Sequence, residues 1–273
     1  MPDKEKETLK KLHVVLVEIL DEFVRVCEEN NFTYFLTAGT LLGAVRHKGF
    51  IPWDDDIDVA MPRKDYEKML NYYKNNNCSN YYLFSRINTS NSRCINEAFA
   101  KICKKNTLVA RVNYKKENYS GIWIDIWPFD NCYKPLVFFQ TKIIKFLNKI
   151  YLNKNSIHSL NKKNKSHAIK TAFSFIPEKF IDYLLRYLYI IFNNRTTRYI
   201  SFFCAKYGHI RETHKLIELF PLRKVLFNNK YYDAPNDYDS FLKTKYGNYM
   251  EIPSEDNRDN HPHEYVIFRN EEK

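Results

Sequence analysis

The chain has 273 residues, a hydrophobic fraction of 44% and a net charge of +11, long enough to bury a substantial core as one large domain or two small ones. It contains no run of 18 apolar residues and its N-terminus is charged, so neither a membrane-spanning helix nor a secretory signal is expected. Its six cysteines, Cys27, Cys78, Cys94, Cys103, Cys132 and Cys204, show no CxxC spacing, which argues against a zinc site or a disulfide framework and for a reducing cytosol.

Residues 7–30 carry Leu9, Leu12, Leu16, Ile19, Leu20, Phe23, Val26 and Cys27 at three- and four-residue spacing, the pattern of an amphipathic helix with a core-facing stripe. A strand over Thr33–Thr37 hands over at Gly39-Thr40 to a helix through Leu41, Leu42, Ala44 and Val45. Backbone N–H groups at a helix start with a hydroxyl beside them form a phosphate cradle; an ordinary Thr40 cap is the alternative. Arg46 on that helix's tail either complements the dipole or clamps a phosphate.

Gly49 and Pro52 turn the chain into W-D-D-D-I-D-V-A, where Asp54, Asp55, Asp56 and Asp58 fall within five residues. An extended Trp53–Ala60 puts Asp54, Asp56 and Asp58 on one face and Asp55, Ile57 and Val59 on the other. Three crowded carboxylates repel unless a hard cation neutralises them. The 15 residues between Thr40 and Asp56 bind the glycine loop and the acids into one motif.

Pro62 opens the next helix, through Asp65, Tyr66, Met69, Leu70 and Tyr73. Tyr81–Ile87, Ala98–Lys104 and Leu108–Val112 read as strands continuing the sheet; Lys101 either points into the site or sits on an edge. In Gly121-Ile-Trp-Ile-Asp125-Ile-Trp-Pro-Phe-Asp130 one carboxylate interrupts an apolar strand and needs a cation or donors, which makes Asp125 the third acid beside Asp56 and Asp58. Asp130 reads as a turn residue.

Residues 131–230 hold 19 Lys+Arg against 4 Asp+Glu, whereas the remainder holds 24 against 28. Phe138–Tyr151, with Lys142, Lys145 and Lys149 interleaved, is a basic amphipathic helix. Asn153–Lys165 is a polar loop, and Ile176–Phe192 a second helix, suited to a membrane surface or to burial against the main domain. No RNP-like or zinc signature accompanies the basic block, so nucleic acid is not an expected partner. Leu219–Phe227 and Tyr231–Pro235 follow as a strand pair or turn, then a helix from Asp237 to Gly247. Arg258, His261 and His263 lie in the tail.

Gly39 to Asp58, with Ile124-Asp125-Ile-Trp-Pro128, Phe220-Pro221 and Tyr246-Gly247-Asn248-Tyr249-Met250, resembles the LicD family of phosphocholine transferases. The resemblance covers residues 10–130 well and 215–262 moderately; Asn248 departs from the family's frequent Asp. It implies an α+β, nucleotidyltransferase-like mixed sheet flanked by helices. A catalytic core (1–130), a basic helical insertion (131–210) and a C-terminal part packing back on the core (211–273) are expected. By that likeness Gly39 and Thr40 hold donor phosphates and Asp56 and Asp58 bind Mg2+ (or Mn2+). Asp125 is the third carboxylate and Asp54 a further participant through the fukutin-type relatives; in the phosphotransfer expected of such a site, Arg46 and Lys101 orient phosphate oxygens. The likeness also implies a CDP-alcohol donor and a sugar acceptor. Taken with the basic block, the acceptor is expected as a glycan or lipid-linked sugar at the inner face of the plasma membrane. A nucleotidyltransferase moving NMP from an NTP shares these acids, and an inactive membrane-docking protein is the non-enzymatic alternative.

Overall fold

The computed structural model describes residues 3–76, 78–85, 99–111, 121–155, 176–203, 210–255, 258 and 263–267. The expected first helix is present as α1 (Asp3–Asn30), and its stripe from Leu12 through Cys27 is buried. It is followed by β1 (Phe35–Leu36), α2 (Ala38–His47), β2 (Asp58–Pro62) and α3 (Arg63–Asn75). Next come β3 (Tyr81–Phe84), β4 (Ala100–Lys104), β5 (Leu108–Arg111) and β6 (Trp123–Cys132). The basic region supplies α4 (Lys134–Asn155) and α5 (Glu178–Ile190). The chain ends in β7 (Tyr199–Ser201), β8 (Thr213–Lys215), α6 (Leu216–Leu219), β9 (Arg223–Phe227), β10 (Lys230–Ala234), α7 (Tyr238–Tyr246) and β11 (His263–Ile267).

The architecture is α+β. A mixed, seven-stranded sheet runs β1-β2-β6-β4-β3, with β7 on the far end of β6 and β8 on β7. Among the described residues only β2 and β6 pair in parallel; the other pairings are antiparallel. Burial along β6 alternates, with Ile124 and Ile126 fully buried and Trp123, Asp125 and Trp127 partly open. Asp125 therefore does not interrupt a strand buried on both sides. It stands on the half-open face, as period-two geometry dictates.

Several expectations are corrected. Leu108–Arg111 does not extend the main sheet but pairs with β11 in a separate ribbon. Pro62 is the last residue of β2 and precedes the first turn of α3, with Arg63 opening the helix. Asp130 is no turn residue: it lies in β6, 1% exposed, and accepts two 2.8 Å hydrogen bonds from Arg63 and one of 2.6 Å from Asn193. The strand pair expected after Leu219 is a hairpin, β9–β10, turned by Asn228 and Asn229 at φ 49° and 68°, the signature of a two-residue left-handed turn. Ile87, Ala98, Val112, the loop from 156 to 165, His261, Cys94 and Cys204 lie outside the described residues.

The main apolar core joins α1, the sheet and residues from 200 to 249, whereas α4 and α5 close a smaller core with Cys132 and Phe203. His214 sits in the main body, stacked 3.6 Å from Phe241, with neither ring nitrogen bonded among the described residues. Burial, with Lys245 adding to it, pushes its pKa down to about 3. The unfolded chain thus takes up this proton near pH 6.5 and the folded chain does not, so stability falls as pH drops below that value, by about 1.4 kcal/mol per unit. His214→Leu is expected to flatten the fall in Tm between pH 6.5 and 4.5, as read by thermal melts across that range.

Candidate active site

Thr37 precedes α2 in extended conformation, and the helix starts at Ala38, so Gly39 and Thr40 lie inside its first turn. Thr40 does not cap the helix with its side chain. Its Oγ1 accepts the Asp58 N–H at 2.8 Å, while the Thr37 N–H donates to the Asp58 carbonyl at 3.2 Å. The glycine loop is thereby fastened to the first residue of β2. A Cβ on Gly39 would lie 2.7 Å from Asp54 Oδ2, so glycine is what lets that carboxylate lie against the helix start. Gly39→Ala is expected to displace Asp54 and lower kcat about 10- to 100-fold with little change in Tm, measurable by kinetics and thermal melt on the same preparation.

The acids do not follow the simple alternation. Residues 54–56 lie outside the strand ladder: β1 is short and pairs only with Val59 and Ala60, and the contact with β6 begins at the Ile57 carbonyl, which accepts the Asp125 N–H at 2.8 Å. The turn at Ile51–Asp54 closes through the Asp54 N–H to the Ile51 carbonyl. Unpleated, Asp54, Asp55 and Asp56 converge, with carboxylate oxygens within 4.8 Å of one another. Asp55 thus joins the face from which period two had excluded it. Asp58 lies one step on, where the strand begins, directly in register with Asp125 on β6. Asp125 is in turn in register with Lys101 on β4. Lys101 Nζ donates to Asp125 Oδ1 at 2.8 Å and lies 4.6 Å from the Trp123 ring centre and 5.2 Å from that of Phe99. Lys101 thus lies on the same face of the sheet as Asp125.

The electrostatics follow from burial. Asp58, 7% exposed, has its pKa raised well above the carboxylate range, by desolvation first and then by Asp56 and Asp125, with Lys245 opposing. Asp54 is raised by burial and by Asp56 and Asp55. Behind Asp58 lies a group that residue spacing does not reveal. Lys245 of α7, 2% exposed, pairs with Glu212 at 2.7 Å and stands 4.6 Å from the centre of the Trp127 ring.

Other predicted residues are engaged elsewhere. Arg46 donates from one guanidinium nitrogen to the carbonyls of Tyr249 (2.8 Å) and Glu251 (3.3 Å), bracing the C-terminal segment. Arg258 stacks 4.2 Å over Trp53, next to Asp54. His13, which no motif singled out, meets the Asp54 carbonyl at 2.7 Å and stacks on Phe50. The site thus brings a clustered all-oxygen donor set beside the first turn of α2, on a mixed sheet with Lys101 and Lys245 close by.

Residues 31–162 match the LicD/FKTN/FKRP nucleotidyltransferase domain. Over 271 residues the chain is 28% identical to the lipopolysaccharide cholinephosphotransferase LicD of Haemophilus influenzae, an alignment covering 94% of this chain and 96% of the relative. Shorter matches join it to two uncharacterized Rickettsia proteins. One, of R. typhi, is 39% identical over 56 residues (20% of this chain, 18% of the relative). The other, of R. prowazekii, is 42% identical over 50 residues (18% and 19%). The chain carries a domain of the LicD/FKTN/FKRP type and is a LicD-like phosphotransferase.

Proposed function

We propose that the chain transfers a phospho-alcohol group, phosphocholine first, from a CDP-activated donor to a sugar hydroxyl of a cell-surface glycan or its lipid-linked precursor. The observation that carries this reading is the row Asp58–Asp125–Lys101 across β2, β6 and β4, set beside the Asp54–Asp56 cluster and the Gly39-Thr40 helix start. The reaction named for the H. influenzae relative supports the choice of phosphocholine and of a glycan acceptor.

The donor set is all carboxylate, it is crowded, and burial already raises Asp54 and Asp58. Such a site fits a hard divalent cation, Mg2+ or Mn2+, held by Asp54, Asp56 and Asp58 with Asp125 beside them. When bound, that ion neutralises charge on the donor pyrophosphate and on the departing nucleotide. The chain's own residues orient the rest. The Gly39 backbone and the first turn of α2 hold phosphate oxygens, and Lys101 directs a positive charge at the same face. The acceptor oxygen attacks the phosphorus bearing the alcohol, an O–P bond forms, the bridging P–O bond breaks and CMP leaves. Asp125 accepts the acceptor's hydroxyl proton. Arg46, held by the carbonyls of Tyr249 and Glu251, is assigned to bracing.

The acceptor is presented at a membrane surface on the cytoplasmic side. On α4, Leu136, Phe139, Ile143 and Phe146 form an exposed stripe at helical spacing, flanked by Lys142, Lys145 and Lys149, and the helix has no acidic residue. No helix among the described residues is long and apolar enough to cross a bilayer, and basic helices with an exposed apolar stripe lie in the interface plane. Binding to anionic liposomes is expected to weaken at high salt and in Phe139→Glu; binding unmoved by either argues against this dock.

A thermal-shift screen of CDP-choline, CDP-ethanolamine, CDP-glycerol, CDP-ribitol, CTP and ATP, with and without Mg2+, tests the reaction class. A Mg2+-dependent rise with one CDP-alcohol is expected. A rise confined to the NTPs would replace the reading with nucleotide transfer.

A further inference from the structure

A cavity of about 750 Å3 lies between the start of α3 and the inner side of α5. It contains none of the carboxylates described above, yet it shares a wall with them. Phe99 lines it, and the same ring lies 5.2 Å from Lys101 Nζ, which is bonded to Asp125. The volume is that of a small-molecule site. Its walls combine three aromatic rings, Tyr66, Phe99 and Tyr189, with the amide of Asn194 and with Asn193, whose own amide is held by Asp130 and the Asn131 N–H. Arg63 sits among them, stacked on Tyr66 (5.1 Å) and Tyr189 (5.9 Å) and neutralised by Asp130.

This chemistry selects among the groups the proposed reaction brings together. A quaternary ammonium would meet rings that already carry the guanidinium of Arg63, so a second cation is disfavoured there. A nucleotide pyrophosphate would meet no net positive charge, because Arg63, Lys64 and Arg186 are matched by Asp130, Glu67 and Asp182. What remains is a neutral, hydroxyl-rich ligand with apolar C–H faces, which stacks on aromatic rings and exchanges hydrogen bonds with the Asn194 amide. We infer that the α3–α5 cavity is the acceptor-glycan subsite, holding the sugar units next to the one whose hydroxyl reacts and opening toward Asp125 past Phe99. The inference rests on the phosphotransferase reading and adds to it the place from which the acceptor approaches. It also gives the α4–α5 insertion a purpose: it forms one wall of the acceptor site on a sheet that by itself holds only the donor.

The test uses Ile190→Trp and Asn194→Trp, both at exposed positions lining the cavity, so that a bulky ring fills its mouth without disturbing the core. The probe is a soluble oligosaccharide, prepared from lipooligosaccharide by removing its lipid and its phosphate esters. Saturation-transfer NMR reads its binding to the full chain, and CDP-choline turnover is followed separately with and without the oligosaccharide. Wild type is expected to give a saturation-transfer signal that both variants lose. KM for the oligosaccharide should rise at least tenfold, while hydrolysis of CDP-choline without acceptor stays unchanged. A signal retained in both variants, or absent in wild type, overturns the subsite even if CDP-choline is turned over. Absence of CDP-choline turnover in wild type overturns the phosphotransferase reading, and the subsite with it.

Discussion

Asp58→Asn is expected to abolish phosphotransfer, by 10³-fold or more, on the order of 4 kcal/mol of transition-state stabilisation, while the apo protein melts no lower than wild type. The substitution keeps the side-chain volume and the backbone N–H that Thr40 accepts. It removes a carboxylate that burial, Asp56 and Asp125 make costly to ionise. The sign of the pH dependence follows. A carboxylate with a raised folded pKa binds more protons folded than unfolded, so its contribution to stability is lost as pH rises above the ordinary carboxylate range through the raised value. Asp58→Asn should therefore stabilise the apo protein more at pH 7 than at pH 4. It should also lose most of the Tm rise that Mg2+ gives the wild type. Melts at the two pH values with and without Mg2+, beside a turnover assay, check all three. An active, Mg2+-responsive Asp58→Asn enzyme would remove Asp58 from the site.

Lys245→Met is expected to cost stability rather than chemistry alone, on the order of 3–5 kcal/mol. Lys245 and Glu212 are 2% and 1% exposed and bonded at 2.7 Å, and the second carboxylate oxygen of Glu212 has no partner among the described residues. Methionine fills much the same volume but leaves the Glu212 charge buried without its cation. Removing both charges, in Lys245→Met with Glu212→Leu, should recover most of the loss, because an apolar pair of similar size packs as well as a buried ion pair. Urea unfolding of the two single variants and the double variant gives the coupling. Additive losses in that cycle would mean that the two side chains do not act as a pair.

The parts of the site legible in the sequence are those that local rules place. Asp125 stands out because one acid falls among Ile and Trp at period two, and Asp58 because Val59 and Ala60 continue it as a strand. The Gly39-Thr40 helix start and the α1 stripe follow from spacing in the same way. What spacing misplaced or missed depends on partners far along the chain. Asp55 joins Asp54 and Asp56 because β1 is too short to pleat residues 54–56. Asp130 looks like a turn acid until Arg63 and Asn193 converge on it. Lys245 reads as one of two basic residues ending a helix, and only packing against Glu212, 33 positions earlier, puts it behind Asp58. The strand at Leu108–Arg111 was recognisable as a strand, but its partner, β11, is more than 150 positions away.

The central claim, that these carboxylates move a phospho-alcohol and not a nucleotide, is tested most directly by the products. The full chain would be incubated with Mg2+, CDP-choline, CTP and the dephosphorylated lipooligosaccharide, and the products resolved by mass spectrometry. The account predicts CMP and phosphocholine-bearing glycan in equal amounts, with CTP untouched. Pyrophosphate released from CTP, with a cytidylyl group on the acceptor and CDP-choline intact, would contradict it.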